Sequence, residues 1–288
     1  MIKRDFRVAA AAAVSIVALA APALANHSWN GYHWNRPSGE VTAPVVTALS
    51  GQWPNYVDRV VADWNQSNYI QSAYDPNTNS PAVGVNAKTC KAIAGKILVC
   101  NAKYGLNGWL GIASIWLSNG HISQGTTKLN DSYYAQNRYN TPAWRRMVFC
   151  QEVGHTYGLG HVNENFNDPN EGTCMDYTND PARDDGKGTN QYPNQHDYDE
   201  LATIYAAHGD VATATNFAMR TPGQGVAAAS PGLGDGIPGD TPAQWGRAVH
   251  RDGLGRPDVF EMDLGSGNKK ITHVFWTLET RRVEHEDH

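Results

Sequence analysis

Apolar residues are grouped along the chain in short runs that predict strands, separated by segments with helical spacing. Val45 to Leu49 predicts a first strand. Pro54 to Asn65 then places four apolar residues at the spacing of one helix face: Val57, Val60, Val61 and Trp64. We expect this helix to pack on a sheet that the following strands form.

Three β-rich runs follow, at 97 to 101, 110 to 117 and 121 to 129. The dipeptide Asn119-Gly120 separates the last two runs. It is a strong hairpin signal, because both residue types tolerate the positive φ of a tight two-residue turn. The pattern therefore predicts at least one antiparallel pair of strands.

A longer helix is predicted from about Ala143 to Tyr157. Thr141 is a suitable N-cap and Pro142 a suitable first helical residue. Gly158 permits the positive φ at which such a helix ends. The segment from Asp168 to Asn194 is polar and rich in Asn, Asp, Gly and Pro, which predicts a long loop.

The last helix is predicted from His196 to Ala207, and a Gly-, Pro- and Ala-rich segment predicts a linker at 216–243. Residues 244–288 resume with strand-like pieces and are interpreted as a small β-rich C-terminal appendage. His196 and His208, which flank the last helix, are interpreted as surface and capping residues.

The chain begins with the features of a secretory signal peptide. A basic start is followed by an apolar run from Val8 to Ala21, which is shorter than the roughly 20 residues that cross a bilayer. Cleavage is predicted after Ala25, giving a signal peptide at 1–25 and an N-terminal arm at 26–40. The mature protein is therefore expected to be secreted, with no membrane span.

The net charge of the chain indicates which kinds of molecule the protein binds. The net charge is −5. It becomes −7 after signal removal, because Lys3, Arg4 and Arg7 exceed Asp5 by two charges. An acidic chain of this kind gives no indication of nucleic-acid binding. No sequence feature specifies an oligomeric state.

The four cysteines are expected to form disulfides, because export places them in an oxidising compartment. Three pairings are possible. Chain order favours Cys90 with Cys100 and Cys150 with Cys174. A zinc knuckle is disfavoured, since no C-x-x-C spacing is present.

The segment from Gln151 to His161 reads Q-E-V-G-H-T-Y-G-L-G-H and carries the candidate chemistry. Gln151 and His155 are one helical turn apart, so their side chains share a face. After Gly158 the chain can turn back and bring His161 to the same point. Two neutral imidazoles held in this way suit Zn²⁺. Glu152, on the adjoining strip of the helix, is the candidate general base for an activated water.

This segment resembles the metzincin zinc-peptidase signature H-E-x-x-H-x-x-G-x-x-H, and Met175 with Tyr177 resembles the Met-turn that follows it. The resemblance is closest to the matrixins and assigns a catalytic domain at 41–215. It implies an α/β (α+β) fold, metzincin- or zincin-like, in which a twisted mixed sheet carries a zinc-site helix, a Met-turn and a C-terminal helix. The run from Leu110 to Leu117 resembles an exposed edge strand along which an extended peptide would bind.

The resemblance also implies a site. Zn²⁺ would be held by His155 and His161, with Glu152 as base and Met175 as an apolar floor beneath the ligands. The first histidine of the signature is replaced by Gln151, whose amide oxygen is a weaker zinc donor than imidazole. Three arrangements stay open: Gln151 coordinates through oxygen, another group such as His121 or Tyr177 completes the site, or metal binds poorly.

Other chemistries have less support. The acidic loop at 167–185 offers carboxylates that could bind Ca²⁺, but their spacing matches no specific calcium loop and a solvated loop is favoured. These carboxylates are Asp168, Glu171, Asp180, Asp184 and Asp185. No G-x-S-x-G nucleophile motif is present.

The predicted function is that of a secreted zinc metalloendopeptidase that hydrolyses peptide bonds of proteins or peptides, with Glu152 as general base. The alternative is a catalytically inactive module of the same fold that binds a peptide, cell-wall material or a partner protein through a degraded zinc site. The sequence specifies no cleavage preference.

Overall fold

The computed structural model describes residues 27–35, 40–74, 84–206 and 239–279. The predicted signal peptide, His208 and residues 216–238 of the predicted linker lie outside the described residues. The described chain combines one mixed eight-stranded sheet with a few helices. The predicted mixed α/β fold class is confirmed at this level.

Strands and helices are interspersed up to residue 206, and the last three strands follow after it. The strands are β1 (His33–Trp34), β2 (Val45–Ala48), β3 (Ile97–Ala102), β4 (Trp109–Ser118), β5 (His121–Asn130), β6 (Arg247–Arg251), β7 (Pro257–Gly265) and β8 (Asn268–Trp276). The helices are α1 (Pro54–Trp64), α2 (Asp131–Tyr134), α3 (Pro142–Thr156) and α4 (Gln195–Ala206), and a 3₁₀ turn lies at Pro242–Gln244.

The sheet has the strand order β2-β3-β5-β4-β8-β7-β6, and the short β1 pairs with the start of β5. β3 lies between β2 and β5 and is parallel to both. From β5 onwards every neighbouring pair, from β5 with β4 to β7 with β6, is antiparallel. The predicted hairpin is present: Asn119 and Gly120 both have positive φ, 51° and 84°, between β4 and β5.

Helix α3 starts and ends where its sequence predicts. The Thr141 hydroxyl accepts a hydrogen bond from the Trp144 amide at 3.2 Å, which caps the first turn before Pro142. Gly158 has φ of 99°, and its amide donates to the His155 carbonyl at 3.0 Å. This left-handed turn ends the helix and redirects the chain towards His161.

Helices α1 and α3 pack closely on one another. The Trp64 indole donates to the Cys150 carbonyl at 3.1 Å. A Cβ on Gly154 would lie 2.5 Å from the Trp64 ring and 2.6 Å from the Met175 sulfur. Helix α3 is buried almost throughout its second half. Its position is therefore fixed from all sides by packing.

The C-terminal strands, which the sequence predicted as a small β-rich appendage, pair with the main sheet. β8 pairs with β4 along its length, from Trp109 opposite Trp276 to Leu117 opposite Lys269. Burial explains why β8 lies inside the sheet. Seven consecutive residues of β8, 270–276, are buried, and the strand presents apolar groups to both faces of the sheet. The prediction that β4 is an exposed edge strand is wrong, because β8 occupies that edge.

The two disulfides pair as predicted, Cys90 with Cys100 and Cys150 with Cys174. The first closes the loop before β3. The second ties α3 to the segment that carries Met175. Within the described ranges, none of the helices is long and apolar enough to span a membrane.

Candidate metal centre

The end of α3 and the bend after it bring two predicted ligands together. The Nε2 atoms of His155 and His161 lie 3.0 Å apart, and the two rings are nearly perpendicular, at 80°. His155 is buried in the last turn of the helix, and His161 follows the left-handed turn at Gly158. The local sequence thus produces the predicted convergence of two imidazoles.

A third histidine, His273, comes from β8. Its ring centroid lies 4.0 Å from that of His155 and 5.1 Å from that of His161. One ligand nitrogen from each of the three rings lies within 4.8 Å of the other two. His273 is 2% exposed, and neither of its ring nitrogens has a hydrogen-bond partner in the described ranges. The cluster of His155, His161 and His273 is called the trihistidine centre below.

The hydrogen bonds around the trihistidine centre fix the direction of the lone pairs. His155 Nδ1 lies 2.7 Å from the Leu159 carbonyl, which can only accept, so this nitrogen carries the proton. His161 Nδ1 lies 3.1 Å from a carboxylate oxygen of Glu164, and 3.8 Å from one of Asp258. In neutral rings both Nε2 atoms therefore present lone pairs to each other.

Two lone pairs facing each other at 3.0 Å repel, unless a cation or a second ring proton lies between them. The unpartnered nitrogens of His273 favour the cation, because they add a further donor to the same place. Ligand nitrogens at about 2.0–2.1 Å from a tetrahedral zinc ion are about 3.3 Å apart. Glu164 and Asp258 supply the carboxylate contacts that commonly orient zinc-bound histidines. The residues present therefore fit Zn²⁺.

Burial also keeps these rings in the metal-binding form. Burial, followed by the nearby His161, holds the pKa of His155 well below its usual range. Burial, followed by the nearby His155, lowers the pKa of His273 in the same way. Both imidazoles are consequently neutral at physiological pH, which is the state that coordinates a metal.

Glu152 is fully buried at the interface of α3 with β4. Its carboxylate lies so close to the strand that a Cβ on Gly111 would be 2.5 Å from Oε1. Within the part of the chain that the structure describes, neither carboxylate oxygen has a hydrogen-bond partner. Burial raises the pKa of Glu152 well above its ordinary value. The predicted base is thus a buried carboxyl group that β4 covers and that has no hydrogen-bond partner among the described residues.

Gln151 is turned towards the Met175 segment. Its amide nitrogen donates to the Cys174 carbonyl at 2.7 Å, while Oε1 is buried without a partner. The place that the signature gives to a histidine is therefore used here to fasten α3 to Cys174. The third imidazole comes from β8 instead.

Met175 and Tyr177 lie beside the trihistidine centre. The Met175 carbonyl accepts from the Val162 amide at 2.8 Å, which holds this segment against the bend that carries His161. The Tyr177 ring centroid is 4.3 Å from that of His161. The Tyr177 hydroxyl lies 3.5 Å from Asp258, so it contacts the carboxylate shell around His161.

Two further predictions concern residues away from this centre. His121 lies at the start of β5, where its ring contacts His33 at 4.8 Å, and it belongs to no metal-capable group among the described residues. The acidic loop is bonded internally: Asp185 accepts from the Asn170 amide and from Arg183, both at 2.7 Å, and Asp184 accepts from two glycine amides. The carboxylates of Asp184 and Asp185 are thus bonded to groups of the same loop.

The N-terminal arm covers one side of the trihistidine centre. The Trp29 ring is stacked on His155 at 5.2 Å and tilted over His273 at 3.4 Å. The Trp29 amide donates to the Gly158 carbonyl at 2.8 Å. On another side, a cavity of about 590 Å³ reaches His161, with Glu164, His250 and Glu171 among its lining residues. Access to the centre is therefore from the His161 side.

Sequence reasoning missed His273, Glu164 and Asp258. The sequence contained a signal for His273. This residue lies between Ile271 and Phe275 on one face of an apolar strand, and a single buried histidine there needs a polar partner. Glu164 and Asp258 carry no comparable signal, because an acidic residue in a loop or at a strand start is ordinary.

No family model matches the sequence, and no curated protein matches it. Among solved structures, the chain is similar to high choriolytic enzyme 1, a hatching enzyme zinc-protease from the medaka fish Oryzias latipes. The match has 14% identity and a TM-score of 0.33, and covers 60% of this chain and 94% of that chain. A superposition this loose transfers neither a ligand set nor an activity.

Proposed function

We propose that this protein is a secreted zinc-dependent peptidase of metzincin-like fold, and that its ion is held by His155, His161 and His273. The observation that carries the proposal is the convergence of three buried imidazoles within 4.8 Å of one another. Disulfides and the predicted signal peptide support secretion. The matrixin-like motif around Glu152 supports peptide hydrolysis over other zinc chemistries.

When bound, the ion supplies Lewis-acid activation of water and polarises the scissile carbonyl. Glu152 accepts the proton of the attacking water and returns it to the amine that leaves when the C–N bond breaks. No hydrogen bond within the described residues has to break before either Glu152 oxygen takes a proton, but β4 must uncover the buried carboxyl group for water to reach it. Glu164 and Asp258 orient His161, and Trp29 excludes water from the faces of His155 and His273.

The substrate would approach through the cavity that reaches His161. β4 is not available to an added strand, because β8 already pairs with it. Binding through the cavity depends on side chains such as Glu171 and His250 that line it. This route predicts short or flexible peptide segments as substrates, since main-chain pairing along a sheet edge is absent there.

The test combines metal content with turnover of the purified mature protein. We expect about one zinc at the trihistidine centre and cleavage of a casein-type substrate that a chelator abolishes. Glu152→Gln should retain zinc and lose activity by about 100- to 10,000-fold, as expected for a general base. Glu261→Gln, in β7, is the matched control and should behave as wild type. Unchanged turnover in Glu152→Gln would rule out this mechanism.

A second candidate function is a metal-binding module without turnover. Two observations favour it: Glu152 has no exposed surface, and β8 fills the edge where a peptide would add. Zinc bound at the trihistidine centre, together with no cleavage by wild type of any peptide offered, would support this module. A zinc-free, folded protein would contradict both candidates.

A further inference from the structure

A second group of metal-binding side chains lies outside the trihistidine centre. His27 of the N-terminal arm and His196 and Asp197 of α4 each place one ligand atom within 4.8 Å of the other two. His27 is 5% exposed and Asp197 is fully buried. His196 was interpreted from sequence as a surface or capping residue, but its Nδ1 is buried. The three residues are called the arm site below.

The Asp197 carboxylate is oriented with one oxygen free. Oδ2 accepts hydrogen bonds from the Thr173 hydroxyl at 2.5 Å and the Asn194 amide at 2.7 Å. Among the described residues Oδ1 has no hydrogen-bond partner, although Asp197 is completely buried. A buried carboxylate oxygen without a donor is costly, and the bonds on the other oxygen prevent the group from turning away. The free oxygen is therefore a ligand position for a cation.

The histidines complete a donor set for such a cation. His27 Nδ1 lies 3.2 Å from the Gly160 carbonyl, which places the proton on Nδ1 and the lone pair on Nε2. That Nε2 lies 3.6 Å from Asp197 Oδ1, too far for a hydrogen bond. A backbone carbonyl on the distal ring nitrogen is a common feature of metal-bound histidine.

His196 supplies the third donor. Its Nδ1 has no partner, so turning the ring breaks no hydrogen bond at that atom. Its ring is stacked on that of His27, with centroids 4.8 Å apart and planes 12° apart, and one ligand nitrogen of each ring lies within 4.8 Å of the other. We propose that His27, His196 and Asp197 form a second metal site that takes a divalent transition metal, zinc in the first instance. Two imidazoles and one carboxylate form a usual zinc ligand set.

The N-terminal arm links the arm site to the trihistidine centre. His27 is hydrogen-bonded to Gly160 through both its side chain and its main chain, directly before His161. Two residues after His27, Trp29 covers His155 and His273. An ion at the arm site fixes the arm to α4 and so holds Trp29 over the trihistidine centre.

The experiment uses full-length mature protein that has been stripped with a chelator and then titrated with zinc. Wild type should bind two equivalents, and His196→Ala and His273→Ala one each. The double variant should bind none. In His273→Ala, zinc at about 100 times its dissociation constant should raise Tm by roughly 5–10 °C through the arm site alone. His27→Gln is a second disrupting variant, and His121→Ala is the control that should bind two equivalents.

The outcomes separate this site from the proposed function. Loss of one equivalent in His196→Ala, with zinc retained by His273→Ala, supports the arm site whether or not the protein cleaves peptides. The proposal is overturned if His196→Ala binds as much zinc as wild type, or if zinc leaves the Tm of His273→Ala unchanged. Circular dichroism of each stripped variant establishes that the comparison is between folded proteins.

Discussion

Replacing His273 by Leu should change stability in opposite directions with and without zinc. His273 is buried beside Trp29 and His155, and both its ring nitrogens lack hydrogen-bond partners. A buried polar group without a partner costs about 1–3 kcal/mol. Leucine is apolar and of comparable size, so the stripped His273→Leu protein should be more stable than stripped wild type by an amount in that range.

With zinc present, the change in stability that His273→Leu causes has the opposite sign. Structural zinc sites with four ligands contribute about 10–16 kcal/mol, which is about 3–4 kcal/mol for each ligand. Losing His273 should therefore weaken zinc affinity at the trihistidine centre by about 100- to 1,000-fold. The gain in the stripped protein is too small to offset this loss. The zinc-bound variant should consequently be less stable than zinc-bound wild type.

The assay is urea denaturation of both proteins, with a chelator and with excess zinc, together with zinc titration against a competing chelator. His121→Leu is the matched control, because His121 lies outside the trihistidine centre and should leave zinc affinity unchanged. The reasoning fails if His273→Leu binds zinc at that centre as tightly as wild type, or if stripped and zinc-bound proteins shift in the same direction.

Three further predictions concern packing and buried charge. Gly111→Ala should destabilise the fold by about 1–3 kcal/mol in thermal unfolding, since its Cβ would lie 2.5 Å from a Glu152 oxygen; an unchanged Tm would contradict the close contact. Burial lowers the pKa of Lys270 to about 8 from 10.5, so the charged form is disfavoured in the folded state, and stability should rise between pH 8 and 10.5 by up to about 3 kcal/mol. Lys270→Met should be more stable at pH 7 and should lose this rise in a pH series of urea melts. Arg256→Ala should cost about 3–5 kcal/mol by the same melts, because it leaves the buried Asp252 carboxylate without its guanidinium at 2.7 Å; a loss below 1 kcal/mol would show the pair to be unimportant.

The amino-acid sequence alone determined what depends on neighbours in the chain. The cap at Thr141, the turn at Gly158 and the hairpin at Asn119 follow from the conformational preferences of those residues. Because His161 lies only six positions after His155, a helix end and one turn were enough to predict their convergence. These features are local, so the sequence pattern contains their physical cause.

The tertiary structure alone decided the rest. His273 reaches the trihistidine centre because β8 is paired to β4, a long-range choice that depends on the burial of both faces of β8. The same pairing removes the predicted free edge, and the same close packing buries Glu152 beneath Gly111. His27 meets Asp197 only because the N-terminal arm runs past the bend at Gly160. Contacts between distant segments are set by the packing of the whole sheet, and no periodicity in the sequence encodes their partners.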